Sequence, residues 1–339
     1  MVQLSGITPS GHVQLGNHLG ALRRWAADGG PDDLYFVSDL HAMTTAHNPA
    51  KLRSLATEQL AVLVATGIAP ERVFVQSDLA RELGALTWVL ECTCSYGEAA
   101  RMIQFKEKSA ARSASVEGGG GGMDGKSKGQ AGVRLSLLTY PVLMAADILL
   151  QGADEVPVGE DQRQHVELAR TLARRFNSTY GEVFTVPEAT LPPAGARVKD
   201  LAEPARKMSK SANDSAGVVF VLDEPDQIRR KVRRARTDGG SVPAYDPENR
   251  PGIANLLDIL AACAGGDPAE LADEYPSYGV LKDAVADAVI EELRPVREGT
   301  RALLDDVAEL ERVRKAGAER AIDRGAHRVS AALRMVGAA

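Results

Sequence analysis

The sequence predicts an α/β fold in which a doubly wound parallel sheet of the Rossmann type is followed by an α-helical domain. In the first part of the chain, short apolar runs alternate with helical patterns, as in proteins whose parallel strands are joined by helices. After about residue 222 the strand signals fade and long amphipathic helices take over. The 339 residues allow two domains with a substantial core. We therefore expect a Rossmann-type domain over residues 1–222 and a helical domain over residues 223–339.

The individual elements follow one another in the order that such a sheet requires. The first run alternates weakly between apolar and polar positions, and the next two are apolar enough to be buried strands. The predicted order is a strand over residues 2–7, a helix over 13–27, a strand over 34–38, a helix over 49–66 and a strand over 73–76. The predicted C-terminal helices cover residues 253–264, 281–293 and 296–335. Ligands of doubly wound sheets lie beyond the carboxyl ends of the strands, so the turns after the first two strands are of interest.

The turn after the first predicted strand has the features of an anion site. It reads Thr8-Pro9-Ser10-Gly11-His12-Val13-Gln14-Leu15-Gly16-Asn17 and leads into a helical pattern. A strand, a tight turn and a helix start direct backbone N–H groups and the positive end of the helix dipole at an anion. Gly16 would let a nucleotide approach the backbone, while Gln14 and Asn17 supply polar contacts. The glycine spacing fits neither the dinucleotide fingerprint nor the phosphate loop of NTPases.

A second candidate phosphate site lies far downstream. The segment Lys207-Met208-Ser209-Lys210-Ser211 carries two lysines framed by hydroxyl residues. Ammonium groups and hydroxyl donors of this kind can stabilise the charge that develops on a leaving pyrophosphate. The alternative is a solvated basic loop, because most charge runs face water. The presence of the first site favours the functional interpretation.

Between the two sites the composition changes sharply. Residues 110–134 are small, glycine-rich and charged, with five consecutive glycines from Gly118 to Gly122. Such a composition does not pack, and we predict a flexible loop over residues 110–134 within a connecting insertion of about residues 77–150.

Charge and cysteine content exclude several other classes of protein. The formal net charge is −6, so a nucleic-acid partner requires a locally positive surface. The three cysteines, Cys92, Cys94 and Cys263, lack the spacing of a zinc site, and we predict reduced thiols and no metal site. The sequence has neither a leader pattern nor an apolar run long enough to cross a bilayer, which predicts a cytoplasmic protein without a membrane partner.

The two turns together resemble the signatures of the class I aminoacyl-tRNA synthetases. The first signature reads Gln14-Leu15-Gly16-Asn17, in which amide side chains replace both histidines of the class pattern; the second, at residues 207–211, is complete. Within the class the chain is similar to the tryptophanyl-tRNA synthetase family over nearly its whole length. The further matching segments are residues 102–108, 139–149, 156–165 and 251–257. The resemblance implies ATP-dependent attachment of L-tryptophan to tRNA(Trp) through an adenylate, with Mg²⁺, in a homodimer.

The amino-acid pocket can also be interpreted physically. Tyr140, Met144 and Asp147 fall at i, i+4 and i+7, on one face of a helix that Pro141 could start. A carboxylate on that apolar face needs a partner, and the indole N–H of tryptophan is a donor that needs one acceptor. The alternative is that Asp147 caps or ion-pairs an ordinary helix. His41, a lone histidine after the second strand, could equally be a satisfied core or capping residue.

The resemblance assigns further residues. The implied tryptophan-binding residues are Leu4, His41, Tyr140, Met144, Asp147, Val156, Val158 and Gln162. The implied ATP-binding residues are Thr8, Pro9, Ser10, Gly16, Asn17, Gly159, Glu160, Asp161, Val198, Lys207, Met208, Ser209, Lys210 and Ser211. The implied catalytic residues are Asn17, Lys207, Lys210 and Ser211.

Two other functions stay open from the sequence. A tyrosyl-type class I synthetase would share the architecture, and a non-catalytic paralogue could bind tryptophan or RNA. In the helical domain, which by resemblance binds the tRNA anticodon, residues 229–236 carry six cations in eight positions. That run could contact RNA phosphates, or it could form a solvated helix face.

Overall fold

The computed structural model describes residues 1–102, 134–190, 198–209 and 215–339, so almost all of the predicted glycine-rich loop lies outside the described residues. Within these ranges the chain is mainly helical around short parallel strands. The strands are β1 (Leu4–Ile7), β2 (Leu34–Val37), β3 (Val73–Val75), β4 (Glu155–Pro157) and β5 (Glu188–Thr190). The helices before β4 are α1 (Leu15–Asn17), α2 (Arg23–Asp28), α3 (Asp39–Ala42), α4 (Pro49–Ala65), α5 (Ala80–Thr93), α6 (Tyr96–Ala100) and α7 (Ser136–Gln151). The later helices are α8 (Glu160–Tyr180), α9 (Pro225–Arg233), α10 (Pro251–Ala264), α11 (Pro268–Glu274), α12 (Tyr278–Asp305) and α13 (Val307–Met335).

The strands form the predicted Rossmann-type arrangement. β1, β2 and β3 are parallel neighbours in that order, and β4 pairs in parallel with β5. A parallel bridge from Gln3 to Glu155 sets β4 beside β1, which gives the order β3-β2-β1-β4-β5. The strand order therefore reverses between β1 and β4. In doubly wound sheets this reversal opens a crevice at the carboxyl ends of the strands.

The sheet separates two hydrophobic cores. All four residues of β2 are buried, as expected for a central parallel strand. Alternate residues face opposite sides: Tyr35 and Val37 pack into one cluster, and Leu34 and Phe36 into the other. The apolar runs predicted as strands at residues 2–7, 34–38 and 73–76 are thus confirmed, each somewhat shorter than predicted.

The C-terminal helices pack on the sheet and on the helices that flank it. α12 lies against α4, α9 and α10, and α13 contacts β3, α5 and α7. Gly317 of α13 allows this contact, because a Cβ at that position would lie 1.7 Å from the carbonyl oxygen of Val73. Both cores therefore include residues from the C-terminal helices. The division of the chain at residue 222 stays a prediction.

Two predicted helix boundaries are wrong, and both involve proline. Pro141 lies inside α7 and does not start it, since the helix begins at Ser136. Pro295 likewise lies inside α12. A break was expected between residues 293 and 296, but this helix continues without interruption to Asp305. Val142 and Val296, which directly follow these prolines, are buried, so tertiary packing outweighs the single hydrogen bond that each proline removes. Within the described ranges, none of the helices combines the length and the hydrophobicity that a membrane span requires.

Candidate active site

A cavity of about 480 Å³ opens at the point where the strand order reverses. β1 and β4 form its floor, and α3, α7 and the start of α8 form its walls. Tyr140, Met144 and Asp147 of α7 all line it, as their helical spacing predicted. All eight residues predicted to bind tryptophan line this cavity, namely Leu4, His41, Tyr140, Met144, Asp147, Val156, Val158 and Gln162.

Asp147 is the buried carboxylate of this cavity. It is 3% exposed. His41 Nε2 lies 2.9 Å from its Oδ2, and Gln76 Nε2 lies 2.8 Å from each of its carboxylate oxygens. Burial raises the pKa of the Asp147 carboxyl, and the hydrogen bonds from His41 and Gln76 oppose that rise. The carboxylate thus keeps local donors and still faces the cavity.

Gln76 was missed by sequence reasoning. It is fully buried directly after β3, and its Oε1 accepts hydrogen bonds from the backbone N–H groups of Leu40 (3.1 Å) and His41 (3.4 Å). The only signal in the sequence is a polar residue that ends the apolar run Val73-Phe74-Val75. Without the structure that signal predicts the end of a strand and nothing more.

The opposite end of the cavity carries a second polar network. The Tyr140 hydroxyl lies 3.0 Å from His165 Nε2, and His165 Nδ1 lies 2.8 Å from Gln162 Oε1. Burial raises the pKa of Tyr140 to about 12, so the hydroxyl keeps its proton at neutral pH. His165 thus contacts the amide oxygen of Gln162 through Nδ1 and the Tyr140 hydroxyl through Nε2. The network orients Tyr140 and Gln162 towards the cavity that both line.

The first predicted nucleotide turn borders the same cavity. Thr8 and Ser10 are among its lining residues, with Pro9 between them in the turn. Thr8 Oγ1 lies 2.8 Å from Ser38 Oγ at the end of β2. The buried Gln59 of α4 donates to the carbonyl oxygens of Gly11 (2.9 Å) and Thr8 (3.3 Å). The turn is therefore held from beneath by an amide that sequence reasoning did not identify.

Gln14 and Asn17 make contacts within the protein. Gln14 Oε1 accepts from the Gly16 N–H, and Asn17 Oδ1 accepts from the Gln14 N–H at 3.3 Å. These two bonds form a reciprocal cap at the start of α1. Gln14 Nε2 also donates to the carbonyl oxygen of Met208 at 3.0 Å, in a buried position. The Gln14 amide thus links the two signature segments.

The described part of the second signature lies against the first. Met208 is 1% exposed, whereas the side chains of Lys207 and Ser209 are exposed. The Met208 N–H donates to the carbonyl oxygen of Val198 at 3.2 Å. A Cβ on Gly16 would lie 3.3 Å from Val198 Cβ, so the predicted nucleotide residues Gly16, Val198 and Met208 do come together. Lys210 and Ser211 lie outside the described residues.

The remaining predicted nucleotide residues stand at the start of α8. Gly159 is the residue that precedes the first turn of this helix, and Glu160 begins it with an exposed side chain. The side chain of Asp161 lies outside the described part of the structure. Because this helix follows β4 after two residues, the free backbone N–H groups of its first turn lie near the carboxyl end of that strand.

The basic run at residues 229–236 is partly neutralised. Three of its cations form ion pairs: Arg229 with Asp287 (2.6 Å), Lys231 with Asp223 (2.6 Å) and Arg233 with Asp283 (3.2 Å). Two of these pairs attach α9 to α12. The other cations of the run, Arg230, Arg234 and Arg236, are exposed and form no ion pair with the described residues.

Comparison with known proteins agrees with this geometry. The family described as tRNA synthetases class I (W and Y) matches residues 1–294. The chain is 53% identical to tryptophan–tRNA ligase 1 of Streptomyces coelicolor, over 98% of this chain and 96% of that protein. It is 44% identical to the tryptophan–tRNA ligase of Clostridium perfringens, over 94% of this chain and 91% of that protein.

Solved structures agree at the level of the whole fold. The tryptophanyl-tRNA synthetase from Mycoplasma pneumoniae matches with a TM-score of 0.82 and 29% identity, over 99% of this chain and 97% of that one. The enzyme from Campylobacter jejuni, complexed with ADP and tryptophan, matches with a TM-score of 0.81 and 28% identity, over 99% of this chain and all of that one. The chain therefore belongs to the class I tRNA synthetases of the tryptophan and tyrosine family, and within it to the bacterial tryptophan enzymes.

Proposed function

We propose that the protein attaches L-tryptophan to tRNA(Trp) in two steps that consume ATP. The observation that carries the proposal is the buried Asp147 carboxylate in the wall of a cavity that also borders the nucleotide turn at Thr8 and Ser10. One crevice can thus hold both the indole ring of tryptophan, whose N–H can only donate, and the tryptophan carboxylate that ATP activates. The matching tryptophan–tRNA ligases support the same substrate.

In the first step the tryptophan carboxylate attacks the α-phosphorus of ATP, an O–P bond forms, and diphosphate departs. The terminal ribose hydroxyl of tRNA then attacks the activated carbonyl and releases AMP. Lys207 and Lys210 would neutralise the departing diphosphate, with Asn17 and Ser211 contributing polar contacts. No enzyme nucleophile is required, because alignment and charge stabilisation each contribute several kcal/mol, on the order of what such effects supply in enzymes.

Mg²⁺ is proposed to arrive with ATP. Among the residues that the structure describes, no three His, Cys, Asp or Glu side chains form a cation cage. Mg²⁺ keeps several waters and commonly binds substrate phosphates, so a dedicated protein cage is not needed. When bound, it would offset phosphate charge near the two lysines.

Tryptophan recognition depends on both the floor and the walls of the cavity. The apolar side chains of Met144, Val156 and Val158 line the cavity and can pack against the ring, while Asp147 offers an acceptor to the ring N–H. Tyr140 and Gln162 line the other end, where the polar amino-acid group would lie. Phenylalanine would leave the buried acceptor unpaired, and such a site discriminates strongly against it.

A homodimer is proposed through the exposed face of α5 and α6. Trp88 and Tyr96 are each 68% exposed, and Cys92 lies exposed between them in sequence. Large aromatic side chains at this exposure are typical of protein interfaces.

For tRNA, we propose that the helical region over residues 223–339 contacts the anticodon, with Arg230, Arg234 and Arg236 available to phosphates. We also propose a cytoplasmic location, because tRNA is charged where proteins are synthesised.

ATP–pyrophosphate exchange with a panel of the standard amino acids, repeated with tRNA added, tests the proposal. The expected result is exchange with tryptophan and esterification of tRNA(Trp). Exchange with tyrosine would instead indicate a tyrosyl-type enzyme. Binding of tryptophan without any exchange would indicate a non-catalytic paralogue.

A further inference from the structure

Gln76 is buried beneath the recognition cavity and does not line it. It follows β3 directly, and β3 is paired in parallel with β2, so its side chain reaches the segment after β2. There Gln76 Oε1 accepts from the backbone N–H of Leu40 (3.1 Å) and of His41 (3.4 Å). Two backbone donors face this oxygen, which sets the orientation of the amide.

The other end of the amide meets Asp147. Since the oxygen is turned to the backbone, the NH₂ group is the end that lies 2.8 Å from both Asp147 oxygens. An amide nitrogen can only donate, so Gln76 presents donors to this carboxylate and no acceptor. His41 Nε2, 2.9 Å from Oδ2, joins it on the same carboxylate. A carboxylate has about four lone-pair positions, which leaves acceptor capacity towards the cavity that Asp147 lines.

We infer that Gln76 is a positioning residue that holds Asp147 as an ionised hydrogen-bond acceptor, and that it thereby makes the site select a substrate ring that carries an N–H donor. The inference rests on the proposed function, because it concerns the recognition of tryptophan by Asp147. Gln76 acts without touching the substrate. Its amide sets both the plane of the carboxylate and the protonation state that suits a donor ligand.

A substrate pair isolates the N–H group. Tryptophan and β-(benzothiophen-3-yl)alanine have similar bicyclic shapes, but in the second a ring sulfur replaces the N–H donor. The dissociation constants of both amino acids and their rates in ATP–pyrophosphate exchange give a preference ratio. A general loss of stability weakens binding and exchange for both substrates together, whereas a change in the Asp147 acceptor alters the preference ratio.

Gln76→Glu is the informative variant. It keeps the shape and an oxygen for the Leu40 N–H, but it replaces the donor to Asp147 with a second oxygen. Two carboxyl groups at this distance cannot both be ionised, and the proton that they share removes acceptor capacity. We expect the preference for tryptophan over the sulfur analogue to fall by about tenfold or more, the loss expected for a weakened hydrogen bond to a charged group. Gln76→Met, which keeps similar volume without either polar atom, should lower the ratio in the same direction.

Gln151→Glu is the matched control. Gln151 is a buried glutamine of the same helix as Asp147, and its amide donates to the carbonyl oxygen of Ala321 at 3.2 Å. This variant should lower stability and keep the preference ratio. If Gln76→Glu and Gln76→Met reduce affinity and exchange equally for both substrates while the wild-type enzyme prefers tryptophan, the inference is overturned. A wild-type enzyme with no preference for tryptophan would overturn the proposed function itself, and the inference with it.

Discussion

Gln14→Ser should separate the role of Gln14 as a helix cap from its role as a link between the two signature segments. Serine is among the residues preferred before the first turn of a helix, so the cap at the start of α1 should persist. The serine side chain is shorter by two bonds and cannot reach the Met208 carbonyl oxygen, to which Gln14 Nε2 now donates at 3.0 Å. The variant therefore removes the link and keeps the cap.

The size of the effect follows from burial. Gln14 is 2% exposed and Met208 is 1% exposed, so the Met208 carbonyl would lose its buried partner. A buried polar group left without a partner costs about 1–3 kcal/mol. With about 1.4 kcal/mol for each factor of ten, the ordered arrangement of this segment against the predicted nucleotide turn should become about 5- to 150-fold less populated. Because Lys207 precedes Met208 directly, we expect kcat/KM for ATP to fall by a factor in that range.

ATP–pyrophosphate exchange at saturating tryptophan measures this change, and equilibrium dialysis measures tryptophan binding in parallel. Tryptophan affinity should stay within about twofold of wild type, because the hydrogen bonds of Asp147 with His41 and Gln76 do not involve Gln14 or Met208. Gln151→Ser is the control: it also removes a buried amide bond to a backbone carbonyl, at 3.2 Å, but lies away from the signature segments. A Gln14→Ser enzyme with unchanged ATP kinetics would refute the reasoning, as would equal losses in Gln14→Ser and Gln151→Ser.

Three further predictions concern specificity, packing and pH. Asp147→Ala should raise KM for tryptophan and narrow the preference over phenylalanine by about tenfold or more, the value of a hydrogen bond to a charged group, and unchanged selectivity in the exchange assay would contradict its role. Gly317→Ala should lower the midpoint of denaturant unfolding by several tenths of a molar or more, because the new Cβ would lie 1.7 Å from a β3 carbonyl oxygen. Gly279→Ala in α12 is the control, because its new Cβ would meet only one side-chain atom, at 3.9 Å. This control should leave the midpoint unchanged or raise it, since replacing a helical glycine by alanine stabilises a helix by about 0.5–1 kcal/mol. The hydrogen bond from Arg175 holds the pKa of Glu98 at about 2, below its ordinary 4.5. This pair should therefore stabilise the fold above pH 4.5 and lose that contribution as the pH falls towards 2. Urea titrations of Glu98→Gln should show a smaller acid-induced loss of unfolding free energy than wild type, and parallel pH curves for the two proteins would contradict the assignment.

Much of the candidate site could be predicted because its determinants are local in sequence. The helical spacing of Tyr140, Met144 and Asp147 places them on one face whatever the rest of the chain does, and all three line the cavity. The apolar runs of β2 and β3 indicate buried parallel strands for a similar reason. Their order along the chain, with helices between, predicts the crevice in which the ligands should lie.

The predictions that were wrong or missing depend on contacts between distant segments. Pro141 and Pro295 were expected near helix ends, yet both lie inside helices, and the residue that follows each proline is buried. Gln59 carried no special signal, although its buried amide donates to the Gly11 carbonyl oxygen of the predicted nucleotide turn, 48 positions away. Propensity describes a residue's own backbone, and it has no information about the segment that will pack against it.

The sequence by itself determined the class of fold, the two signature segments and the carboxylate on the apolar helix face, because each depends on residues within a few turns of one another. Only the tertiary structure decided which donors meet that carboxylate and what joins the signatures. Gln76 reaches Asp147 across 71 positions, and Gln14 reaches Met208 across 194. Such hydrogen bonds form only once strand order and helix packing have brought the two partners within about 3 Å, the distance over which a hydrogen bond acts.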